Sequence, residues 1–222
     1  MQGLLESGGA KINICHQTKG GTDFVAIFVG AGALAAHENH GDVRVGHAVP
    51  GQDGMVMSED CGPVPLVPRT ITFAGLSGLA NFSPMGGAYS ELGLTVSPTS
   101  GDWLAMTGYG APAPAIVFNR LAIDPALTAE VRVTAGGFVF SFTSVDLYSS
   151  ITTIPYTITG LLDSSPVFVL SGIVPNTLGN FVTVSNPNPA ELVDTLVIAV
   201  TNPATPCCAN PAGLDNIAVR SR

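Results

Sequence analysis

The chain has 222 residues, of which 46% are hydrophobic and only 11% charged, with 26 Gly, 17 Pro and a net charge of −8. Globular chains average about 25% charged residues, so the depletion argues against a coiled coil or a charge-rich disordered segment. The acidic balance, with Lys11 and Lys19 the two lysines, argues against nucleic-acid binding, which needs cations to neutralise phosphates.

Residues 1–10 lack the basic start and apolar core of a signal peptide and read as an N-terminal tail. All four histidines, His16, His37, His40 and His47, fall early in the chain and mark a separate module over 11–61. Within it, 11–15 alternate polar and apolar residues as a half-buried strand does. A turn at 20–23 leads into a second strand at 23–29. Residues 31–40 have helical composition, and Gly41 is placed as a C-terminal cap. Pro63, Pro65 and Pro68 make 62–68 an extended, semi-rigid linker.

From 69 to 222, β-branched and apolar runs alternate with Gly, Asn-Pro and Pro-rich turns. Strands are expected at 70–74, 89–96, 103–107, 115–118, 129–134, 137–148, 151–158, 167–173, 180–184, 192–201 and 216–220. Many short strands at regular spacing predict an antiparallel β-sandwich. Phe138, Phe140 and Phe142 alternate along one face and mark its core. Residues 192–200 are mostly apolar, which suits a central strand covered on both sides. The fold class is thus mainly β, with a small N-terminal α+β Cys/His module. No stretch reaches the roughly 18 uninterrupted apolar residues of a membrane helix.

The composition, poor in Lys and rich in Thr, Ser, Gly and Pro, is that of a secreted protein, here in a mature or trimmed form without its leader. Four cysteines in such a chain favour disulfides. Proximity pairs Cys15 with Cys61 and leaves Cys207 and Cys208 as a vicinal disulfide or two free thiols.

The second part resembles the jelly-roll domains of PEP-CTERM-type bacterial secreted proteins. The residues that carry this are Thr70 to Leu76, Tyr89 to Gly93, Phe142 to Tyr148, Val193 to Ile198 and Gly213 to Val219, in that order. Ala74 departs from the acidic residue such domains often carry, and Ser221-Arg222 closes the chain with no Pro-Glu-Pro motif or apolar anchor. The first part is similar to a small module of exported bacterial proteins, through Ile14-Cys15-His16, Ala36-His37-Glu38-Asn39-His40-Gly41-Asp42 and the later Cys61. The resemblance places the protein outside the bacterial cell or at its surface.

Three sets of residues can carry chemistry. His37 and His40, three apart on the expected helix, project from one face. Paired imidazoles at this spacing can bind Zn²⁺, with Cys15, His16 and Cys61 completing the site and Asp42 orienting a ring. The alternative is a Cys15–Cys61 disulfide with the rings hydrogen-bonded to backbone or to Asp42. In similar jelly rolls Ca²⁺ sits where the first and last strands meet. This implies Asp215 and Asn216 as ligands, with carbonyls of 76–78; the alternative is that Asp215 caps a turn. Trp103, Tyr109, Tyr148 and Tyr156 can stack on sugars, although a lone Trp often packs in a core. There is no nucleophile elbow, Walker loop or dinucleotide fingerprint. The expected role is non-catalytic binding outside the cell, to glycans or to other copies of the chain. The alternatives are a filament subunit and a metal-dependent hydrolase built on the His cluster.

Overall fold

The computed structural model describes residues 11–18, 23–118, 127–175, 180–203 and 210–222. Contacts divide the chain into two compact units between Leu66 and Val67.

The first unit begins with a hairpin of β1 (Lys11–Gln17) and β2 (Phe24–Gly30), and β1 also pairs with β3 (Val43–Arg44). Between β2 and β3 lie a 3₁₀ turn and the short helix α1 (Leu34–Asn39). A second hairpin joins β4 (Met55–Met57) to β5 (Pro63–Pro65), so part of the expected linker is paired strand. Proline is tolerated there because β5 is an edge strand in a two-stranded sheet. Cys15, Val43, Val49, Met57 and Cys61 form the small core of this unit.

The second unit is an antiparallel β-sandwich. Its strands in chain order are β6 (Val67–Ile71), β7 (Ser83–Pro84), β8 (Tyr89–Glu91), β9 (Leu94–Ser100), β10 (Trp103–Met106), β11 (Ala115–Phe118) and β12 (Leu127–Thr134). They continue with β13 (Phe140–Ser149), β14 (Ile154–Leu162), β15 (Ser165–Val174), β16 (Phe181–Ser185), β17 (Leu192–Val193), β18 (Thr195–Asn202) and β19 (Ala212–Ser221). One sheet runs β16-β13-β19-β11-β10-β7, with β6 also on β19 and β17 also on β13. The other runs β15-β14-β18-β12-β9-β8. The last strand lies beside the first, with Ile217 opposite Ile71 and Ala218 opposite Thr70. Phe140 and Phe142 are fully buried between the sheets with Phe73, Phe118, Ile71 and Ile198.

Several expectations are corrected in detail. Residues 89–96 form two strands rather than one, because Leu92 and Gly93 both have positive φ (54° and 80°) and close a two-residue turn between Glu91 and Leu94. Asp163 and Ser164 (50° and 66°) do the same between β14 and β15. Strand β18 is central but is buried only on alternate residues, Leu196, Ile198, Val200 and Asn202. Its apolar run therefore covers one face of core and one half-buried face, rather than two cores.

Two register shifts flank Ser144, the first with its extra residue in β13 and the second with its extra residue in β19, and they decide what the eight-stranded sheet presents on its far side. Before them Phe140 and Phe142 point into the core; after them Val145 and Leu147 do. Asp146 and Tyr148 are thereby turned to the outer face, where Tyr148 joins Met106, Ala115, Val117 and Phe181 in a second apolar cluster.

Candidate functional sites

The first candidate lies in the small unit. Asp42 follows α1 immediately after Gly41, whose φ of +92° makes the turn. A Cβ at Gly41 would lie 2.6 Å from Gln17 Oε1, the movable end of that side chain, so it is the positive φ that calls for glycine here. Strand β1 brings His16 alongside, because Cys15 pairs with Val43. The Asp42 side chain is only 2% exposed and accepts from three directions. His16 Nδ1 lies 2.9 Å and His37 Nδ1 2.6 Å from Asp42 Oδ2, and the Gln17 backbone N–H donates to Oδ1 at 2.8 Å. Burial pushes the Asp42 carboxyl up, but the hydrogen bonds from His16, Gln17 and His37 outweigh it and leave it below its usual range. One ligand-type atom from each of His16, His37 and Asp42 lies within 4.8 Å of the other two.

The other residues expected at this site are placed differently. His40 lies beyond the last turn of α1, with φ −94° and ψ 3°, so the argument that residues three apart share a helical face does not reach it. Cys15 and Cys61 are joined in a disulfide. Their sulfurs are bonded to each other and offer no thiolate to a metal. Cys207 and Cys208 lie outside the described residues.

The second candidate is the outer face of the eight-stranded sheet. Tyr109, Tyr148 and Phe181 pack as three rings, with centroids 5.5 to 5.8 Å apart and Tyr109 stacked on Phe181 at 26°. Burial raises Tyr148 to about 12, helped by Tyr109, so this phenol is un-ionised. Tyr109 is 38% exposed and Phe181 half-buried. One residue pair along the sheet, Asp146 stands between Thr183 on β16 and Asp215 on β19. Thr183 Oγ1 donates to Asp146 Oδ1 at 2.6 Å, and Asn216 Nδ2 donates to Asp146 Oδ2 at 2.8 Å.

Asp215 is fully buried and accepts the backbone N–H groups of Ala111 (3.1 Å) and Asn216 (2.8 Å). Burial pushes it up to about 6; its two N–H donors pull the other way, and the charges of Asp146 and Glu91 add to the rise. The carbonyls of 76–78 are not among the Asp215 contacts, which run instead to the 111 loop. Glu91 is held by the Thr72 and Phe73 N–H groups and by the hydroxyls of Thr72 and Tyr89.

Trp103 does not offer a stacking platform. It is 4% exposed, packs on Phe118 and donates its indole N–H to the Ser100 carbonyl at 3.1 Å. It forms part of the wall of a shallow groove of about 390 Å³, with Pro84, Pro98 and Asp102 beside it. Tyr109 and Tyr148, both expected as stacking residues, are in this cluster, whereas Phe181 and Thr183 were missed from sequence. Val182 and Val184 alternate with Phe181, Thr183 and Ser185 in β16, and the apolar positions of β13 change phase between Phe142 and Val145; these were the available signals.

No protein-family model and no curated protein matches the chain. Among solved structures it overlaps a DUF4465 family protein from Bacteroides caccae at 8% identity, covering 70% of this chain and 99% of that one, with a TM-score of 0.47. It overlaps a CBM29-2 variant complexed with mannohexaose at 12% identity, 71% and 93% coverage and a TM-score of 0.36. It also overlaps TmCBM61 in complex with β-1,4-galactotriose at 11% identity, 68% and 99% coverage and a TM-score of 0.36. Overlaps of this grade carry no information about a ligand.

Proposed function

We propose that the protein is a non-catalytic bacterial extracellular binding protein, of the PEP-CTERM-associated kind that the sequence resembles, whose sandwich takes glycans on the outer face of its eight-stranded sheet. The observation that carries this reading is the Tyr109–Phe181–Tyr148 ring cluster with Asp146, Thr183 and Asn216 next to it. Aromatic faces suit the apolar C–H surface of a sugar ring, and carboxylate, hydroxyl and amide groups beside them suit its hydroxyls. The Cys15–Cys61 disulfide supports an oxidising compartment. Asp215 and Asn216 remain our proposed calcium ligands on this face. The test is retention in native affinity gels containing xylan, mannan, galactan or a soluble cellulose. Retention by at least one of them, lost in Tyr109→Ala and Phe181→Ala, is expected. No retention by any of the four, or retention unchanged in both variants, overturns the reading.

A second reading, association with other copies of the chain, draws on β15. This strand is ten residues long, lies at the edge of its sheet and exposes Val167, Val169 and Ile173 on one side. A long apolar edge is a template for strand pairing. Sedimentation of the intact chain should then show dimers or longer assemblies that Val169→Lys dissolves; a monomer at all concentrations removes this reading.

A further inference from the structure

We propose that His16, His37 and Asp42 form a binding site for a first-row divalent metal ion of the Zn²⁺ class, with an open coordination position facing solvent. Three observations converge on it. The same ring nitrogen of both histidines, Nδ1, is brought to a single oxygen, Asp42 Oδ2, at 2.9 and 2.6 Å. Zn–N and Zn–O bonds of about 2.0–2.2 Å place tetrahedral ligand atoms roughly 3.3 Å apart, so from the observed 2.9 and 2.6 Å the imidazoles need to part from the carboxylate by about 0.4 to 0.7 Å to admit an ion. Imidazole and carboxylate are a donor set suited to zinc and its neighbours, and two imidazoles with one carboxylate leave further positions free.

The second observation is burial. The Asp42 side chain is 2% exposed, whereas His16 and His37 are 46% and 29% exposed. The carboxylate therefore forms the floor of the cluster and the imidazoles its open side. An ion entering there would take the Nδ1 lone pair of each ring, with the proton of each neutral imidazole carried on Nε2, and would replace the hydrogen bonds between the same atoms.

The third is rigidity. Cys15, next to His16, is tied to Cys61 by the disulfide, and β1 is paired on both sides. Asp42 is fixed by the Gln17 N–H and by its own N–H on the His37 carbonyl at 3.2 Å. The ligands are thus held before any ion arrives, which lowers the cost of ordering them. The site uses neither sulfur nor His40, and so differs from a thiolate zinc knot.

The experiment is titration of the desalted, disulfide-intact chain with ZnCl₂, followed by native mass spectrometry and by ¹⁵N spectra of the imidazoles. One equivalent of Zn²⁺ should bind. The His16 and His37 Nδ1 resonances should shift while those of His40 stay in place. A Co²⁺-loaded sample should show no thiolate-to-metal charge-transfer band, and the thiol count should not change on loading. His16→Ala and His37→Ala should each weaken binding by a factor of about 100 or more, while His40→Ala should bind as the parent does. Asp42→Asn, which preserves shape, should lower affinity at least 10-fold. Absence of stoichiometric Zn²⁺ in the parent, shifts at His40 in place of His16 and His37, or affinity unchanged in the His16→Ala and His37→Ala variants would overturn the proposal. The parent spectra decide the matter even where a variant fails to fold.

Discussion

Each unit buries an aspartate, and the two are pushed in opposite directions. Asp42 sits among two imidazoles and a backbone N–H, and these donors outweigh its burial and hold it below the ordinary carboxylate range. Asp215 has two backbone N–H donors, but it is fully buried and shares its surroundings with Asp146 and Glu91, so it rises to about 6. The lesson is that burial alone does not set the charge state of an acid; the sign of its neighbours does. The small unit is arranged around an anion that wants positive partners. The sandwich is arranged around a carboxyl that resists ionising.

The sharpest way to break this comparison is to unfold one unit without the other. The Cys15–Cys61 bridge spans 46 residues, and in the chain-entropy account a loop of that size contributes about 4 kcal/mol. Cys15→Ala with Cys61→Ala should collapse hydrogen-exchange protection along β1 to β3. Fluorescence of Trp103, which is the single tryptophan and lies in the sandwich core, should keep its urea midpoint. A large shift of the Trp103 transition would mean that the units do not stand alone.

The next effect is the pH dependence of the sandwich. Asp215 has a raised folded pKa, about 6 against 3.8, so its contribution is present in full below the unfolded value and is lost as pH rises through about 6. Urea unfolding followed by Trp103 should therefore show the sandwich about 2 kcal/mol more stable at pH 4.5 than at pH 7.5. The small unit has the opposite sign: the contribution of Asp42 is present above its unfolded pKa of 3.8 and lost as pH falls through its lower folded value. Hydrogen exchange in β1 should stay protected from pH 7.5 to 4.5 and weaken only in stronger acid. Equal trends in both units would end the distinction.

Much of this was legible in the residues, and what was not has a common cause. Of the three alternating phenylalanines, Phe140 and Phe142 lie in the sandwich core while Phe138 sits in a bridge ahead of β13, and the pairing of the last strand with the first follows from two β-branched runs at either end of the sandwich. The histidine-rich start marks the small unit, but only His16 and His37 meet Asp42. His40 is the C-cap of α1 and is not in the group that converges on Asp42, and the ends of short helices are weakly encoded. The outer aromatic face of the sandwich was hidden for a related reason. A register shift in β13 before Ser144, followed by one with its extra residue in β19, changes which side chains face outward, and the sequence reading did not use the change of phase from Phe140 and Phe142 to Val145 and Leu147 that accompanies it.

Left-handed backbone positions give the two smaller tests. In the small unit, where Cys61 is also at positive φ (60°), one such position holds glycine: Gly41, at φ +92°, with Gln17 Oε1 where a side chain would begin. Gly41→Ala should cost about 1–2 kcal/mol and draw Asp42 away from the imidazoles, visible as loss of β1 protection. Restoration of full protection by simple movement of the Gln17 side chain would show that space, not backbone, was the smaller demand.

In the sandwich the corresponding position holds the wrong residue. Leu92 adopts φ 54° beside Gly93 at 80°, in a two-residue hairpin turn where Asn-Gly is the favoured pair. Leucine has no local hydrogen bond to offset the crowding of its Cβ against the backbone. Its side chain is 49% exposed, so little apolar contact is given up by replacing it. Leu92→Asn should therefore stabilise the sandwich by about 0.5–1 kcal/mol, read as a higher urea midpoint of Trp103 fluorescence with an unchanged slope. If Leu92→Asn destabilises instead, the buried half of the leucine matters more than its strained backbone, and the residue is held there by packing or by a partner on that edge of the sheet.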